Sequence, residues 1–162
     1  MNFKTLGVSL IWLLLAGGLF YFFDAKVHPN TADKLSAGPE VRLVRDLSGH
    51  YRAEAFINGV KTTVMVDTGA TDVALSGKFA EQLGIQSNHA IRTHTANGDT
   101  VAYMTRLESI KLGGIEANNV AATIVPHLGT DILLGMSFLN RMEVRLYQGV
   151  MTIRAVNEQA GK

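Results

Sequence analysis

The residues best suited to chemistry stand where an apolar run ends in Asp67, Thr68 and Gly69. Residues 64–66, just before them, are apolar and partly β-branched, which predicts a strand buried on both faces. Asp67 would then lie at the inner end of that strand. Gly69 lets the backbone turn with its N–H groups close to the carboxylate, because no Cβ stands in the way. Taken alone, the pattern also fits an ordinary turn after a strand.

A second apolar run, further along the chain, favours the chemical interpretation. Ile132, Leu133 and Leu134 end in Gly135, and a short helical pattern follows over residues 137–141. An apolar run into Asp-Thr-Gly-Ala, followed in order by Ile-Leu-Leu-Gly, resembles the retropepsin-like aspartic proteases. The resemblance covers residues 41–156, and its Gly-Met-Ser-Phe-Leu continuation is most similar to the retrotransposon and bacterial membrane-anchored branches.

The resemblance implies an aspartic endopeptidase in which Asp67 is catalytic. Peptide hydrolysis by carboxylates needs two of them: one takes a proton from a water, and the protonated one polarises the scissile carbonyl. Two carboxyl groups about 3 Å apart cannot both ionise, so such a pair titrates as a unit. The chain has one Asp-Thr-Gly, so a working site requires a homodimer in which Asp67 of each chain meets across a twofold axis. No metal or other cofactor is needed.

The family pattern also implies roles for the residues around Asp67. Thr68 would hydrogen-bond across the dimer axis, and Gly69 would present its N–H to the carboxylate. Ala70 belongs to the same supporting loop. Leu134 and Gly135 would pack against that loop and fix its position.

The turn at Ala96, Asn97 and Gly98 would be the tip of a flap that closes over a peptide substrate and excludes water. It departs from the glycine-rich, isoleucine-bearing flap of the viral enzymes. An ordinary type I′ hairpin is the alternative interpretation, because Asn-Gly favours that turn.

The elements that must position these residues are predicted to be strands. Asn58-Gly59 and Asn97-Gly98 predict two hairpins, and Ser76 and Gly84 are typical of the start and end of a short helix. A weak internal repeat relates residues 56–60 to residues 111–115. The predicted fold is all-β: a retropepsin-like closed barrel, or acid-protease half-lobe, with one or two short helices. Its strands are expected over residues 51–57, 60–66, 91–96 and 100–112, and a closing hairpin is expected over residues 144–153.

The N-terminal segment predicts a membrane anchor. Residues 6–23 contain no charged side chain and approach the length of a transmembrane helix. The aromatic residues 21–23 fit an interfacial belt and suit signal peptidase poorly, although a cleaved signal peptide is the alternative. Lys4 before the span favours a domain on the periplasmic side of an inner membrane. We therefore expect an anchor over 1–23, a flexible linker over 24–40, a protease domain over 41–156 and a tail over 157–162.

Composition limits the number of domains and the kinds of ligand that the chain is expected to bind. A chain of 162 residues with 47% apolar content suits one core domain, and a formal charge of +1 without Lys/Arg runs gives no reason to expect nucleic acid. The absence of cysteine excludes disulfides and thiolate metal sites. His89 and His94 lack metal-site spacing and are predicted to be surface residues. Asp131 precedes its apolar run, so a cap or turn role is expected.

Two other functional classes stay open at this point. One is a catalytically silent dimeric peptide-binding or assembly module of a membrane complex, because fold alone does not establish turnover. The other is a structural part of such a complex, whose hairpins pair with partner strands.

Overall fold

The computed structural model describes residues 3–28, 30–95, 98–130 and 132–156. It begins with helix α1 (Phe3–Val27). From Gly7 to Val27 this helix is long and apolar enough to cross a membrane, and none of it is buried against the rest of the protein. A signal sequence near an N-terminus has the same properties. Because α1 ends at Val27, the helix extends four residues beyond the anchor, which was predicted to end at residue 23.

The segment after α1 is not the free linker that the sequence predicted over residues 24–40. Asn30 is 4% exposed, and its amide nitrogen donates to the carbonyl oxygens of Val44 at 2.8 Å and Arg52 at 2.7 Å. The backbone N–H of Val44 donates to Oδ1 of Asn30 at 2.8 Å, and the N–H of Ala32 donates to Glu54 Oε2 at 2.7 Å. Polar composition did not reveal this docking, because the partners come from distant strands.

The remainder is almost entirely strand, which confirms the all-β prediction. The elements are β1 (Glu40–Val44), β2 (Tyr51–Ile57), β3 (Val60–Val66), β4 (Val73–Ser76), α2 (Gly77–Gln82), β5 (Ala90–Thr95), β6 (Gly98–Leu112), β7 (Ile115–Val125), β8 (Ile132–Leu134), α3 (Met136–Leu139), β9 (Met142–Tyr147) and β10 (Val150–Ala155). One sheet has the order β2-β3-β8-β4-β7-β6-β5, and an added β2–β6 pairing closes its first six strands into a barrel. A second sheet has the order β1-β10-β9.

The two members of the predicted internal repeat meet where the barrel closes. Asn58 and Gly59 have φ of 47° and 81°, the left-handed conformations that a type I′ hairpin requires. Phe56 pairs with Lys111 and Ile57 with Ile110. The N–H of Asn58 donates to the carbonyl oxygen of Ser109 at 2.9 Å. The strands that carry the two repeats, β2 and β6, therefore pair directly at this point.

Local signals also placed α2 and the closing hairpin correctly. The Ser76 hydroxyl accepts from the N–H of Phe79 at 3.1 Å, and Gly84 beyond the helix has φ +66°. The hairpin of β9 and β10 turns at Gln148 and Gly149, both with positive φ. The core between the sheets contains, among others, Leu43, Ile57, Leu107, Ile132, Leu134, Phe138 and Ile153. Full burial of one such side chain contributes roughly 1.5–3 kcal/mol.

Candidate active site

The site begins where two parallel strands end at the same edge of the barrel. Val64 pairs with Ile132 and Val66 with Leu134, so β3 and β8 run side by side into Asp67 and Gly135. The N–H of Asp67 donates to the carbonyl oxygen of Leu134 at 3.2 Å. Tertiary pairing thus brings the two sequence motifs together.

The strand before Asp67 is less buried than predicted. Val64 and Val66 are buried, but Met65 is half-buried. Its pairing partner Leu133 is half-buried as well and lines a cleft. One face of the strand pair therefore packs in the core, while the other is partly open toward the site.

A compact loop holds the Asp67 carboxylate. The N–H of Gly69 donates to Oδ1 of Asp67 at 2.8 Å, and the N–H of Ala70 donates to the Asp67 carbonyl at 3.3 Å. Asp67 is half-buried, whereas Thr68 and Gly69 are exposed at the surface of the chain. The carboxylate is oriented from its own loop, and the tip of that loop is accessible to another molecule.

Gly135 packs directly against the part of this loop that follows Gly69, at Ala70 and Asp72. A Cβ at Gly135 would lie 2.1 Å from the carbonyl oxygen of Asp72 and 2.7 Å from that of Ala70. The following N–H groups, of Met136 and Ser137, donate to the carbonyls of Ala70 at 2.8 Å and Thr71 at 3.0 Å. Glycine is required here by close backbone approach, since its φ of −89° is open to any residue.

Ser137 is a supporting residue that the sequence did not identify. Its hydroxyl accepts from the N–H of Val73 at 3.0 Å and donates to the carbonyl oxygen of Ala121 at 2.7 Å. One side chain therefore ties the end of the Asp67 loop to β7. The only local signal is a serine at the start of a helix, which usually indicates a cap.

A cleft of about 700 Å³ lies beside the loop, between the barrel and the β5–β6 hairpin. Asp67, Gly69 and Ala70 line one side. The opposite side includes Ile91 and Gly98 of the hairpin. An apolar cluster lines it with the side chains of Ala74, Ile91, Val125, Leu128 and Leu133, which pack with the fully buried Ala102.

The hairpin predicted around Asn97-Gly98 is present as β5–β6, and its role as a flap stays a prediction. Ala96 and Asn97, at its predicted tip, lie outside the described residues, as does Asp131. His94 and Asp99 are direct cross-strand partners, and Nδ1 of His94 lies 2.5 Å from Oδ1 of Asp99. Their side chains are 84% and 66% exposed. His94 is thus a surface residue as predicted, but it also lines the mouth of the cleft.

Among the described residues, no other carboxylate and no histidine of the cleft forms a hydrogen bond with the Asp67 carboxylate. Asp72 lines the cleft, yet the only hydrogen bond to the Asp67 carboxylate from a described residue comes from Gly69. The described residues contain no group of three His, Asp or Glu side chains arranged to hold a metal ion. The sequence contains one Asp-Thr-Gly motif, so each chain has one carboxylate of this kind, that of Asp67.

A turn over residues 46–50, which contains Asp46, lies at the same end of the barrel as Asp67. Tyr51, directly after this turn, pairs with Val66, directly before Asp67. The Asp46 side chain is 3% exposed. Burial disfavours its charged form, but hydrogen bonds from Ser48, His50 and Arg52 outweigh it and lower the pKa of Asp46 to about 2. Arg52 Nη1 lies 2.5 Å from Oδ2 of Asp46.

A family model described as "gag-polyprotein putative aspartyl protease" matches residues 53–141, which is more than half of the chain. The chain belongs to this family. A crystal structure of a retropepsin-like aspartic protease from Rickettsia conorii agrees with this membership. It is 34% identical, has a TM-score of 0.62, and covers 70% of this chain and 97% of its own. The resemblance to retropepsin-like proteases is confirmed.

Two curated proteins that are similar to this chain are longer than it is. A Sinorhizobium sp protein from the cobV 5′ region is 37% identical over 109 residues, covering 65% of this chain and 47% of that protein. Protein RP867 of Rickettsia prowazekii is 39% identical over 111 residues, covering 64% of this chain and 46% of that one. The chain spans about half the length of these relatives.

Proposed function

We propose that this protein is an aspartic endopeptidase that is active as a homodimer, with Asp67 of each chain forming the catalytic pair. The observation that supports this most directly is the placement of Asp67. Its carboxylate is oriented by Gly69 at 2.8 Å beside a cleft of about 700 Å³. The exposed Thr68-Gly69 tip leaves room for a second loop to approach. A second chain would supply the second carboxylate.

The paired carboxylates would share one proton. The ionised Asp67 removes a proton from a water held between the pair, and the protonated one donates a hydrogen bond to the scissile carbonyl oxygen. The water oxygen bonds to the carbonyl carbon. The tetrahedral intermediate then collapses: the C–N bond breaks, and the leaving amine takes the proton that the carboxylate had removed from the water. The Gly69 N–H keeps the carboxylate oriented without an external group.

The substrate would be a peptide segment in extended conformation. The cleft runs between the barrel and the β5–β6 hairpin, so an extended backbone can add main-chain hydrogen bonds in the manner of an extra strand. The apolar cluster that includes Val125, Ile91 and Leu133 would receive an apolar side chain next to the cleaved bond. Closure of the hairpin would exclude water from the reacting atoms.

Helix α1 would anchor the enzyme to the inner membrane with its domain on the periplasmic side. Its apolar stretch from Gly7 to Val27 supports a single span. Asn30 docks the chain onto the domain only a few residues after the helix ends. The cleft would consequently stay near the membrane, and the accessible targets would be membrane-proximal protein segments. Tethering in a plane also raises the effective concentration for pairing.

The test uses the full-length protein in detergent with a diverse peptide library, across acidic to neutral pH. Asp67→Asn should abolish cleavage. Asp72→Asn, which removes the same charge from the same cleft, should retain it. Adding Asp67→Asn protein to wild type under exchange should halve the wild-type activity at equal amounts, because half of the wild-type chains then pair with an inactive partner. Undiminished activity in the mixture would reject the shared site, and cleavage by the Asp67→Asn variant alone would reject the enzyme assignment.

A further inference from the structure

The outer face of the small sheet β1-β10-β9 presents three rows of side chains that differ in chemical character. From β1 through β10 to β9, the apolar row is Val44, Val150 and Tyr147, the arginine row is Arg42, Thr152 and Arg145, and the glutamate row is Glu40, Arg154 and Glu143. The arginine and glutamate rows line one shallow depression, so they form a continuous surface. The charge of this face therefore changes stepwise along the strands.

The apolar row lies nearest to the end of α1. The side chain of Asn30 donates to the carbonyl oxygen of Val44 and accepts from its N–H, both at 2.8 Å. Helix α1 ends at Val27, only three residues before Asn30. Three residues span at most about 11 Å of extended chain. The apolar row is therefore held close to the point where α1 would leave the membrane.

The exposed side chains near this point suit the boundary between hydrocarbon and lipid headgroups. Val44 and Tyr147 are 49% and 62% exposed, and Leu47 in the turn after β1 is 61% exposed. Tyrosine is enriched at that boundary, because its ring is apolar and its hydroxyl is polar. The guanidinium of Arg145 lies 5.8 Å from the centre of the Tyr147 ring. An apolar surface and a cation thus stand side by side.

The spacing of the rows matches the layers of a bilayer surface. Residues two apart in a strand are separated by about 7 Å, and the headgroup region on one side of a bilayer is about 5–8 Å thick. With the apolar row at the hydrocarbon boundary and the strands running outward, Arg42 and Arg145 reach the lipid phosphates. Glu40 and Glu143 then lie about 13 Å from the boundary, in water. The carboxylates are thereby kept away from an anionic surface.

The turn after β1 adds positive rather than negative charge to the same region. Arg45 is exposed. The carboxylate of Asp46, which follows it, has a 3% exposed side chain and lies 2.5 Å from Nη1 of Arg52. The negative charge of Asp46 is buried and paired, so it does not oppose the approach of anionic lipid.

We propose that the outer face of β1-β10-β9 docks the domain onto the anionic lipid surface of the membrane that α1 enters. The inference rests on the membrane anchor of the proposed function, and it assigns an orientation to the anchored domain. Tyr51, directly after the turn over residues 46–50, pairs with Val66, directly before Asp67. Docking would therefore hold the Asp67 loop at a fixed height above the membrane. Peptide segments that cross this height would be the accessible substrates.

The first test places an environment-sensitive fluorophore on a single cysteine, which is unambiguous because the native chain contains no cysteine. Full-length Val44→Cys protein is labelled and incorporated into nanodiscs of phosphatidylcholine, with or without phosphatidylglycerol. Phosphatidylglycerol should shift the emission to shorter wavelength and raise it about twofold, because two or more arginines gain anionic partners. Val101→Cys is the matched control, since Val101 is also 49% exposed but lies on the β5–β6 hairpin. No response at Val44, or an equal response at both positions, would overturn the proposal.

The second test removes the charge of the arginine row in the labelled Val44→Cys protein. Arg42→Gln with Arg145→Gln should lower the docking equilibrium constant about thirtyfold and abolish the response to phosphatidylglycerol. Lys78→Gln with Arg92→Gln removes the same charge from exposed positions outside this face and should retain the response. Equal loss in both double variants would overturn the proposal.

A rescue variant separates charge from folding. Arg42 and Arg145 are not part of the hydrophobic core, so the variants should fold, which circular dichroism measures. Lysine at both positions keeps the charge and should keep most of the response, because attraction to a lipid surface depends mainly on charge. A response that is lost with lysine as well would overturn the role of charge.

These readouts distinguish docking from the anchor and from the enzyme. A chain that enters nanodiscs without a lipid-dependent change at Val44 would keep the anchor and reject docking. A chain that does not enter nanodiscs would reject the anchor and, with it, this proposal. Cleavage that depends on Asp67, measured in detergent, tests the endopeptidase independently of both.

Discussion

Gly135→Ala inserts a methyl group where the backbone leaves no room for one. The new Cβ would lie 2.1 Å from the Asp72 carbonyl oxygen, whereas ordinary contact begins at 3.4 Å. The backbone at Asp72 must therefore move away by about 1.3 Å. Such a shift strains the hydrogen bonds that Ala70 and Thr71 accept from the start of α3. Two weakened bonds at about 1 kcal/mol each, plus about 1–3 kcal/mol of overpacking, give about 3–5 kcal/mol of destabilisation.

Thermal unfolding of the full-length protein in detergent, followed by circular dichroism, measures this loss. For a domain of this size we expect Tm to fall by roughly 10–15 °C, and the displaced loop should also lose peptide cleavage. Gly129→Ala is the stability control, because a Cβ there has no heavy atom within 4 Å. A Gly135→Ala protein that melts within about 2 °C of wild type would refute the close-approach argument.

Two further predictions concern the supports of the site. The pKa of Asp46 lies at about 2 in the folded protein against an ordinary 3.8, so its charge stabilises the fold above about pH 4, and that contribution disappears as pH falls toward 2. Asp46→Asn should therefore lose about 2 kcal/mol in urea unfolding at pH 7, and much less near pH 2; a difference independent of pH would contradict the assignment. Ser137→Ala removes both hydrogen bonds of its hydroxyl and leaves the buried N–H of Val73 unpaired, which should lower stability by about 1–3 kcal/mol. Ser137→Thr keeps the hydroxyl and should lose less, and faster hydrogen exchange at Val73 in the alanine variant alone would identify the bond.

Local chemistry was sufficient to predict much of the fold. The hairpin at Asn58-Gly59, the helix that begins after Ser76 and the strand that ends in Gly135 all follow from turn conformation, capping and apolar periodicity. These signals act over a few residues, so they are legible without knowledge of the rest of the chain. The family resemblance then connected the two motifs and predicted the barrel.

What could not be predicted depends on partners far along the chain. Asn30 stands in a polar segment that predicted a free linker, yet its amide completes the edge of β1. Ser137 resembles an ordinary helix cap, but its hydroxyl bridges Val73 and Ala121. A polar side chain gives no sign, in sequence, of which distant backbone group it will satisfy.

The sequence by itself determined that an aspartate follows an apolar strand, that a glycine ends a second strand, and that the chain carries one such aspartate. Only the tertiary structure decided that β3 and β8 run parallel, so that Asp67 and Gly135 share one edge of the barrel. It also decided which face of each strand is covered: Ile153 is fully buried, while its partner Val144 extends past the core. Residue type and spacing set the chemistry that is available, but burial and proximity depend on contacts between residues far apart in the chain.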